Sequence, residues 1–379
     1  MLNLYLSCNS LTGAIPSFLF TMHSLLKLDP SQNQLTGPLK FQNISSSLLC
    51  YLSLSRNNLN EQVPKSIANL TDLEYLFLSS INVKGKMELN MFFMIKELRF
   101  LDLSGNNLLF SKEYFNSTLP KFSKLWLSSC NLREFPDFLE AQNVLTYLDL
   151  SNNSIEGKIP KWFWNVGKET LQSLNLSINL LSNFEQPLKV LPWKNMVYLD
   201  LCANMLQGPL PIPPLSTHYF FAASNNLTGR ISPMICKANS LQFLDLSNNQ
   251  LIGKIPQCLG NFSSSLLVLN MRNNCFQGNL PQTFIKESSL RTLDLSHNQI
   301  QGEIPRSLVQ CQRLETLNLG NNNMNGTFPF WLESLPALRI LVLRANGFHG
   351  PIWDPHTKFG FSKLHVIDLS HNNFSGELP

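Results

Sequence analysis

A single eight-residue phrase, LxLxxNxL, returns along the whole chain at a nearly constant interval. It reads LYLSCNSL at 4–11, LSLSRNNL at 52–59, LDLSGNNL at 101–108 and LDLSNNSI at 148–155. Further on it reads LDLSNNQL at 244–251, LDLSHNQI at 293–300, LNLGNNNM at 317–324 and IDLSHNNF at 367–374. Aligned on the asparagine, it marks sixteen positions: 9, 33, 57, 81, 106, 130, 153, 179, 204, 225, 249, 274, 298, 322, 346 and 372. Only Ile81 and Cys130 depart from Asn. A unit of roughly 24 residues is too small to enclose its own apolar face. It must stack on its neighbours, and the stack shares one continuous core.

The pattern dictates the shape of one coil. Each LxL is a short strand with two inward leucines, such as Leu244 and Leu246, while Phe243, Asp245 and Ser247 face outward. Successive strands are expected to pair in parallel. The asparagine closing each strand turns inward, where its amide can satisfy turn backbone groups that no strand partner reaches. This ladder explains much of a chain with 42 Asn. It assigns Asn249 and Asn298 to structure rather than to a ligand.

Four residues after the ladder position stands Gly in twelve coils, and seven after it Pro in nine. Glycine admits backbone conformations closed to other residues, and proline suits an extended edge or a turn. The far side of each coil is therefore expected to be an extended segment followed by a short helical turn. Leu19, Ile67, Phe163, Ile235, Leu259, Phe284, Leu308 and Leu332, ten residues after the ladder position, are expected to form the spine of the core there.

The full signature, LxxLxxLxLSxNxLxGxIP, resembles the plant-specific extracellular leucine-rich repeat. Longer strings at 231–270, 328–352 and 361–379 resemble ectodomains of plant receptor-like proteins of the disease-resistance type. The fold class expected is an α/β solenoid. It is a right-handed curved leucine-rich-repeat superhelix of about 16 plant-type coils over residues 1–379, with a parallel sheet on the concave face. In the family, a signal peptide and a cysteine-pair cap precede the repeats. An island, further repeats and one transmembrane helix follow them. By that resemblance the chain is expected to be a fragment of an ectodomain, or a truncated product, without caps, island, membrane helix or kinase domain.

Coils five, six and eight lack the GxIP signature, with linkers LLFSKEYFNSTLPKFSK, LREFPDFLEAQN and LSNFEQPLKVLPWKN. Coil ten is short, and its strand reads YFFAAS. These breaks read as drift on the far side, or as a bend or protrusion shaped for a partner. The asparagine register resumes after each, so none suggests a domain boundary.

Of eight cysteines, Cys130 takes a ladder position and is expected to be a buried thiol. Cys236 and Cys258 lie at nearly equivalent places in adjacent coils. Neighbouring strands run ~5 Å apart, so a disulfide between them is expected. The resemblance implies a second bridge ending at Cys311, whose partner position holds Ser288. No cysteine or histidine grouping has metal-ligand spacing, so no metal or cofactor is expected. Sequons occur at Asn43, Asn69, Asn116, Asn152, Asn175, Asn226, Asn261, Asn325 and Asn373. About that order of number is expected by chance in so Asn-rich a chain, so the repeat type points outside the cell more strongly than the sequons do.

A solenoid offers a partner its extended strand face, here roughly 70 Å long. Six residues before the ladder position runs an aromatic stripe of Tyr51, Tyr75, Phe100, Tyr147, Tyr198, Tyr219 and Phe243. Phe77, Trp126 and Phe221 add bulk two residues on. Aromatic rings with polar tips are favoured interface anchors, although such rings also serve simply to cover strands by cross-strand stacking. The C-terminal third offers Arg272, His297, Arg344 and His371, a basic spot suited to an acidic peptide group, beside Asp245, Asp294 and Asp368. A net charge of +4 without runs of like charge argues against nucleic acid. No G-x-S-x-G elbow, P-loop or kinase signature is present, so an enzyme is not expected.

The function expected is a cell-surface recognition module at the extracellular face of the plasma membrane. It would bind a peptide, protein or carbohydrate-derived ligand for defence or developmental signalling. The resemblance implies a co-receptor or adaptor kinase as partner. The alternatives are a secreted inhibitor of a cell-wall hydrolase, which in that family has about ten coils, and the ectodomain of a receptor kinase.

Overall fold

The computed structural model describes residues 2–41, 47–109, 119–186, 189–261, 265–352 and 361–377. Each coil gives one strand to a sixteen-stranded parallel sheet, from Asn3–Tyr5 through Phe243–Asp245 to Val366–Asp368, in chain order. The register does not slip. Tyr51 faces Tyr75, which faces Phe100, and Thr292 faces Thr316, which faces Ile340. The two inward leucines of each LxL drive this alignment; Leu244 and Leu246 are fully buried. In coil ten Phe220 and Ala222 fill the same two places and are also fully buried, one larger and one smaller than leucine.

The ladder asparagines bind coil to coil. Asn249 donates its amide hydrogens to the carbonyls of Ala222 in the preceding coil and of Leu246 and Ser247 in its own, at 2.9, 3.1 and 3.1 Å. Its Oδ1 accepts the Leu227 N–H at 3.1 Å. The same four bonds recur at Asn274, Asn298 and Asn322. Where Ile81 interrupts the ladder, its backbone carbonyl takes the Leu59 N–H instead. At Cys130 the thiol sits 3.3 Å from the carbonyls of Leu103 and Ser128.

In all sixteen coils the residue just before the ladder position is left-handed, with φ between 50° and 71°. Between the ladder position and the glycine, the extended segments pair with one another. From coil nine onward they form a second, eight-stranded parallel sheet, from Gln207–Pro209 through Gln250–Gly253 and Asn323–Thr327 to Asn373–Phe374. Coil six, without GxIP, contributes no such strand. A hollow of about 620 Å³ opens there against Leu109, Leu132, Arg133, Pro136 and Glu156. Short 3₁₀ turns follow the prolines, as at Lys65–Asn69, Lys161–Asn165 and Arg306–Gln310. Their apolar spine is buried at Ile67, Phe163, Ile235, Leu259, Phe284, Leu308 and Leu332. Leu19 is the exception: it is half-buried, and Phe20 takes the buried place in a four-residue α-helix, Phe18–Thr21.

Contacts divide the chain into two units. One comprises Met1–Leu181 with Pro192–Met196, and the other Ser182–Leu191 with Val197–Pro379. The division falls in the irregular linker of coil eight. Among the described residues no helix is long and apolar enough to cross a membrane.

Candidate functional site

The outward side chains of the long sheet are set by the LxL alternation, so residues spaced one coil apart stand beside one another. In the first unit this brings six rings into one connected group. Tyr75 stacks on Phe100 with centroids 4.4 Å apart, and Tyr51 lies 6.0 Å from Tyr75 and 5.5 Å from Phe77. Phe77 is 6.2 Å from Trp126, and Trp126 is 5.0 Å from Tyr147. All six are half-buried, so part of each ring faces solvent. Lys124, in the same row, places its ammonium 5.9 Å from the Phe100 centroid, a cation–π contact that the ring pattern alone did not suggest. Burial, and next the Asp29 charge, raises the Tyr51 phenol above its ordinary range; burial, and next Asp149, does the same for Tyr147. Both remain neutral hydroxyls able to donate a hydrogen bond.

The second unit holds its own group of rings. Tyr198 lies 6.2 Å from Tyr219 and 5.6 Å from Phe221, and Tyr219 stacks on Phe243 at 5.2 Å. Their tips are occupied: Tyr198 donates to Asp200 at 3.2 Å and Tyr219 to Gln242 at 3.3 Å. The stripe therefore comes as two groups, with Lys124 and Ser173 standing in its row at the strands on either side of Tyr147.

Arg272, His297, Arg344 and His371 are exposed, and the charges of Arg344 and His371 both act on Asp368. Arg272 and Arg344 share a row three coils apart, or roughly 14 Å at the strand spacing. Arg344 reaches Asp368 at 3.7 Å, and its stem lies across Gly320, where a methyl group would come 2.9 Å from Cγ. His297 and His371 occupy the left-handed turn position rather than the strand, and His297 contacts Asn321 at 3.3 Å. The aspartates are engaged locally. Asp245 accepts from Ser247 N–H and Asn270, Asp294 from Ser296 and Asn318, and Asp368 from Ser370. The Ser370 hydroxyl, more than any other cause, holds the Asp368 carboxyl below its usual range.

Cys236 and Cys258 are joined by a disulfide with Cα atoms 6.2 Å apart. Cys130 and Cys311 are buried thiols, and Ser288 hydrogen-bonds Cys311. Among the described residues no group of His, Cys, Asp and Glu is arranged to hold a metal ion. Sequon residues Asn43 and Asn116 lie outside the described residues. Asn69, Asn152, Asn226, Asn261, Asn325 and Asn373 are exposed, and Asn175 is half-buried on the long sheet.

Family models for leucine-rich repeats match residues 48–70, 144–166, 239–300, 288–331 and 363–379. Receptor-like protein 54 of Arabidopsis thaliana is 40% identical over 362 residues, which are 95% of this chain and 44% of that protein. Receptor-like protein 6 of the same plant is 48% identical over 338 residues, 87% of this chain and 34% of that protein. The chain thus spans less than half the length of these relatives. Among solved structures, a TDR receptor superposes over 100% of this chain and 65% of its own, with a TM-score of 0.77 and 25% identity. The Arabidopsis receptor kinase HAESA, solved in complex with the peptide hormone IDA and the co-receptor SERK1, covers 100% of this chain and 75% of its own, with a TM-score of 0.64 and 25% identity.

Proposed function

Because the chain belongs to the plant leucine-rich-repeat receptor-like proteins, we propose that it is the ligand-recognition part of a cell-surface receptor and that the long sheet's outer face in the first unit receives the ligand. The observation that carries this reading is the connected group of Tyr51, Tyr75, Phe77, Phe100, Trp126 and Tyr147. Half-buried rings lose little conformational entropy when a ligand covers them, and large aromatic side chains dominate interface energetics. Neutral phenols and the Lys124 ammonium add donors among the rings, and Asp102 and Asp149, on the same face, add acceptors. A peptide or protein segment with exposed apolar side chains fits this chemistry. The HAESA complex is a precedent in fold for a peptide ligand and a co-receptor. In this reading the protein acts at the plasma membrane, on its extracellular side, and signals through a partner kinase.

Binding of purified chain to an array of synthetic apoplastic peptides tests it. Wild type is compared with the Tyr75→Ala, Trp126→Ala double variant after circular dichroism has shown both to be folded. A peptide retained by wild type should lose at least about tenfold in affinity, since each such anchor contributes on the order of 1 kcal/mol or more. Equal retention by the two proteins rejects the aromatic face as the site.

A further inference from the structure

We propose that the second sheet of the C-terminal unit is a sugar-bearing face: Asn226, Asn325 and Asn373 carry N-linked oligosaccharides, whereas Asn175 on the long sheet stays bare. This rests on the extracellular reading above and adds a division of surfaces to it.

The two kinds of sequon differ in geometry. Asn226, Asn325 and Asn373 lie on the second-sheet strands Asn226–Arg230, Asn323–Thr327 and Asn373–Phe374. In an extended strand residues i and i+2 share a face. Each asparagine therefore points outward together with the hydroxyl of its own sequon, Thr228, Thr327 or Ser375. All six side chains are exposed, and none makes a hydrogen bond among the described residues. Asn175 and Ser177 are the reverse. Ser177 is buried, and both its hydroxyl and its N–H donate to Asn175 Oδ1, at 2.8 and 3.0 Å. That is the same lock formed by Asp29 with Ser31 and by Asp294 with Ser296. Asn175 thus fills a structural position on the strand, half-buried and in register with Asp149.

The surroundings also suit a sugar. Between Asn226 and Asn325 the second sheet turns Gln250, Gln277, Gln299, Gln301 and Asn323 outward, all exposed and without side-chain hydrogen bonds among the described residues. Amides both donate and accept, so these side chains complement a polymer of hydroxyl groups, with the exposed Arg230 and Ile252 beside them on the same face. In the modification, the asparagine Nδ2 bonds to the anomeric carbon of an oligosaccharide carried on a lipid pyrophosphate. The bond from that carbon to the phosphate oxygen breaks. The lipid pyrophosphate leaves, and the amide proton passes to a base of the transferase. With sugars on the second sheet, a protein partner of this unit is left the long sheet.

The test is peptide mass spectrometry after enzymatic deglycosylation in heavy-oxygen water, which marks each asparagine that held a sugar. The chain is expressed in leaf cells twice, from the native gene and behind a cleavable secretion leader. The expected result in the second sample is a mark at Asn226, Asn325 and Asn373 and none at Asn175. A mark at Asn175, or the absence of a mark at any one of the three, overturns the proposal. A native-gene product bare at every sequon, beside a marked secreted sample, counts against the extracellular reading alone.

Discussion

The side chain of Asn249 holds four backbone groups at once, two coils' worth of turn, and no other residue type has a donor pair and an acceptor in that arrangement. Its neighbour on the chain pays a conformational cost so that the amide can point inward: the residue before each ladder position is left-handed. Asn, at 152, 248, 273 and 321, tolerates that conformation, but Ile178 holds φ at 55° with a β-branched side chain. Ile178 is 53% exposed, so little packing offsets the strain. Ile178→Asn should therefore raise stability by about 1 kcal/mol, read as a higher urea midpoint with an unchanged slope; an equal or lower midpoint contradicts the account. Cys130 makes a second prediction. Burial pushes its thiol from an ordinary value near 9 up to about 12. The folded chain holds that proton more tightly than the unfolded chain. The stability it contributes is complete below about pH 9 and is lost as pH rises from there towards 12. Cys130→Asn carries no titrating group and restores the amide, so its stability should fall less than that of wild type between about pH 8 and pH 10. Parallel slopes for the two proteins would show that the thiol's burial does not matter.

At the scale of the element, the glycine of GxIP meets two demands together. Gly253 has φ 83°, and a methyl group there would come within 2.9 Å of the Arg230 side-chain stem from the preceding coil. The same arrangement repeats with Lys254 against Gly278 and Glu303 against Gly326. These three extended segments thus lay a side-chain stem over the next coil's bare backbone, in addition to the sheet's hydrogen bonds. Gly253→Ala should cost about 1–3 kcal/mol, because strain adds to the displaced stem. Combining it with Arg230→Ala should recover the part due to crowding; a double variant as unstable as the single one leaves backbone strain as the whole effect. The strands and inward leucines were legible because LxL repeats with period two and the asparagine fixes its phase. The second sheet was not. An extended segment was expected there, but each strand carries only one or two inward apolar residues, such as Leu251, Ile300 and Met324, too few to set a period, and its pairing comes from stacking on the neighbouring coil. Leu19 failed for a local reason: coil one forms a true α-helical turn, which rotates Phe20 into the core.

For the whole molecule, the governing fact is that a coil bonds only to the coils beside it, so stability is a chain of nearest-neighbour terms. The same fact limited what the sequence disclosed of the candidate site. Row positions were readable, since Tyr75 and Phe100 had to adjoin. Their grouping depended on Lys124 and Ser173 in the same row, and the two arginines, three coils apart, stand too far from one another to form one spot. It also predicts how the chain opens. Leu341 and Leu317 are fully buried in the second unit, yet their counterpart Ile367 in the last coil is 45% exposed, and Leu4 in the first coil is only half-buried. In residues 1–379 taken alone, a coil at either end has one interface where an inner coil has two. Opening it therefore breaks one set of ladder bonds rather than two, and its amides should exchange through local fraying rather than global unfolding. Hydrogen exchange followed by mass spectrometry should show the strands Asn3–Tyr5 and Val366–Asp368 exchanging first. Protection should rise coil by coil towards Tyr75–Phe77 in the first unit and Thr292–Asp294 in the second. Uniform protection along each unit would mean that coils do not open singly, and that coupling beyond nearest neighbours holds the stack together.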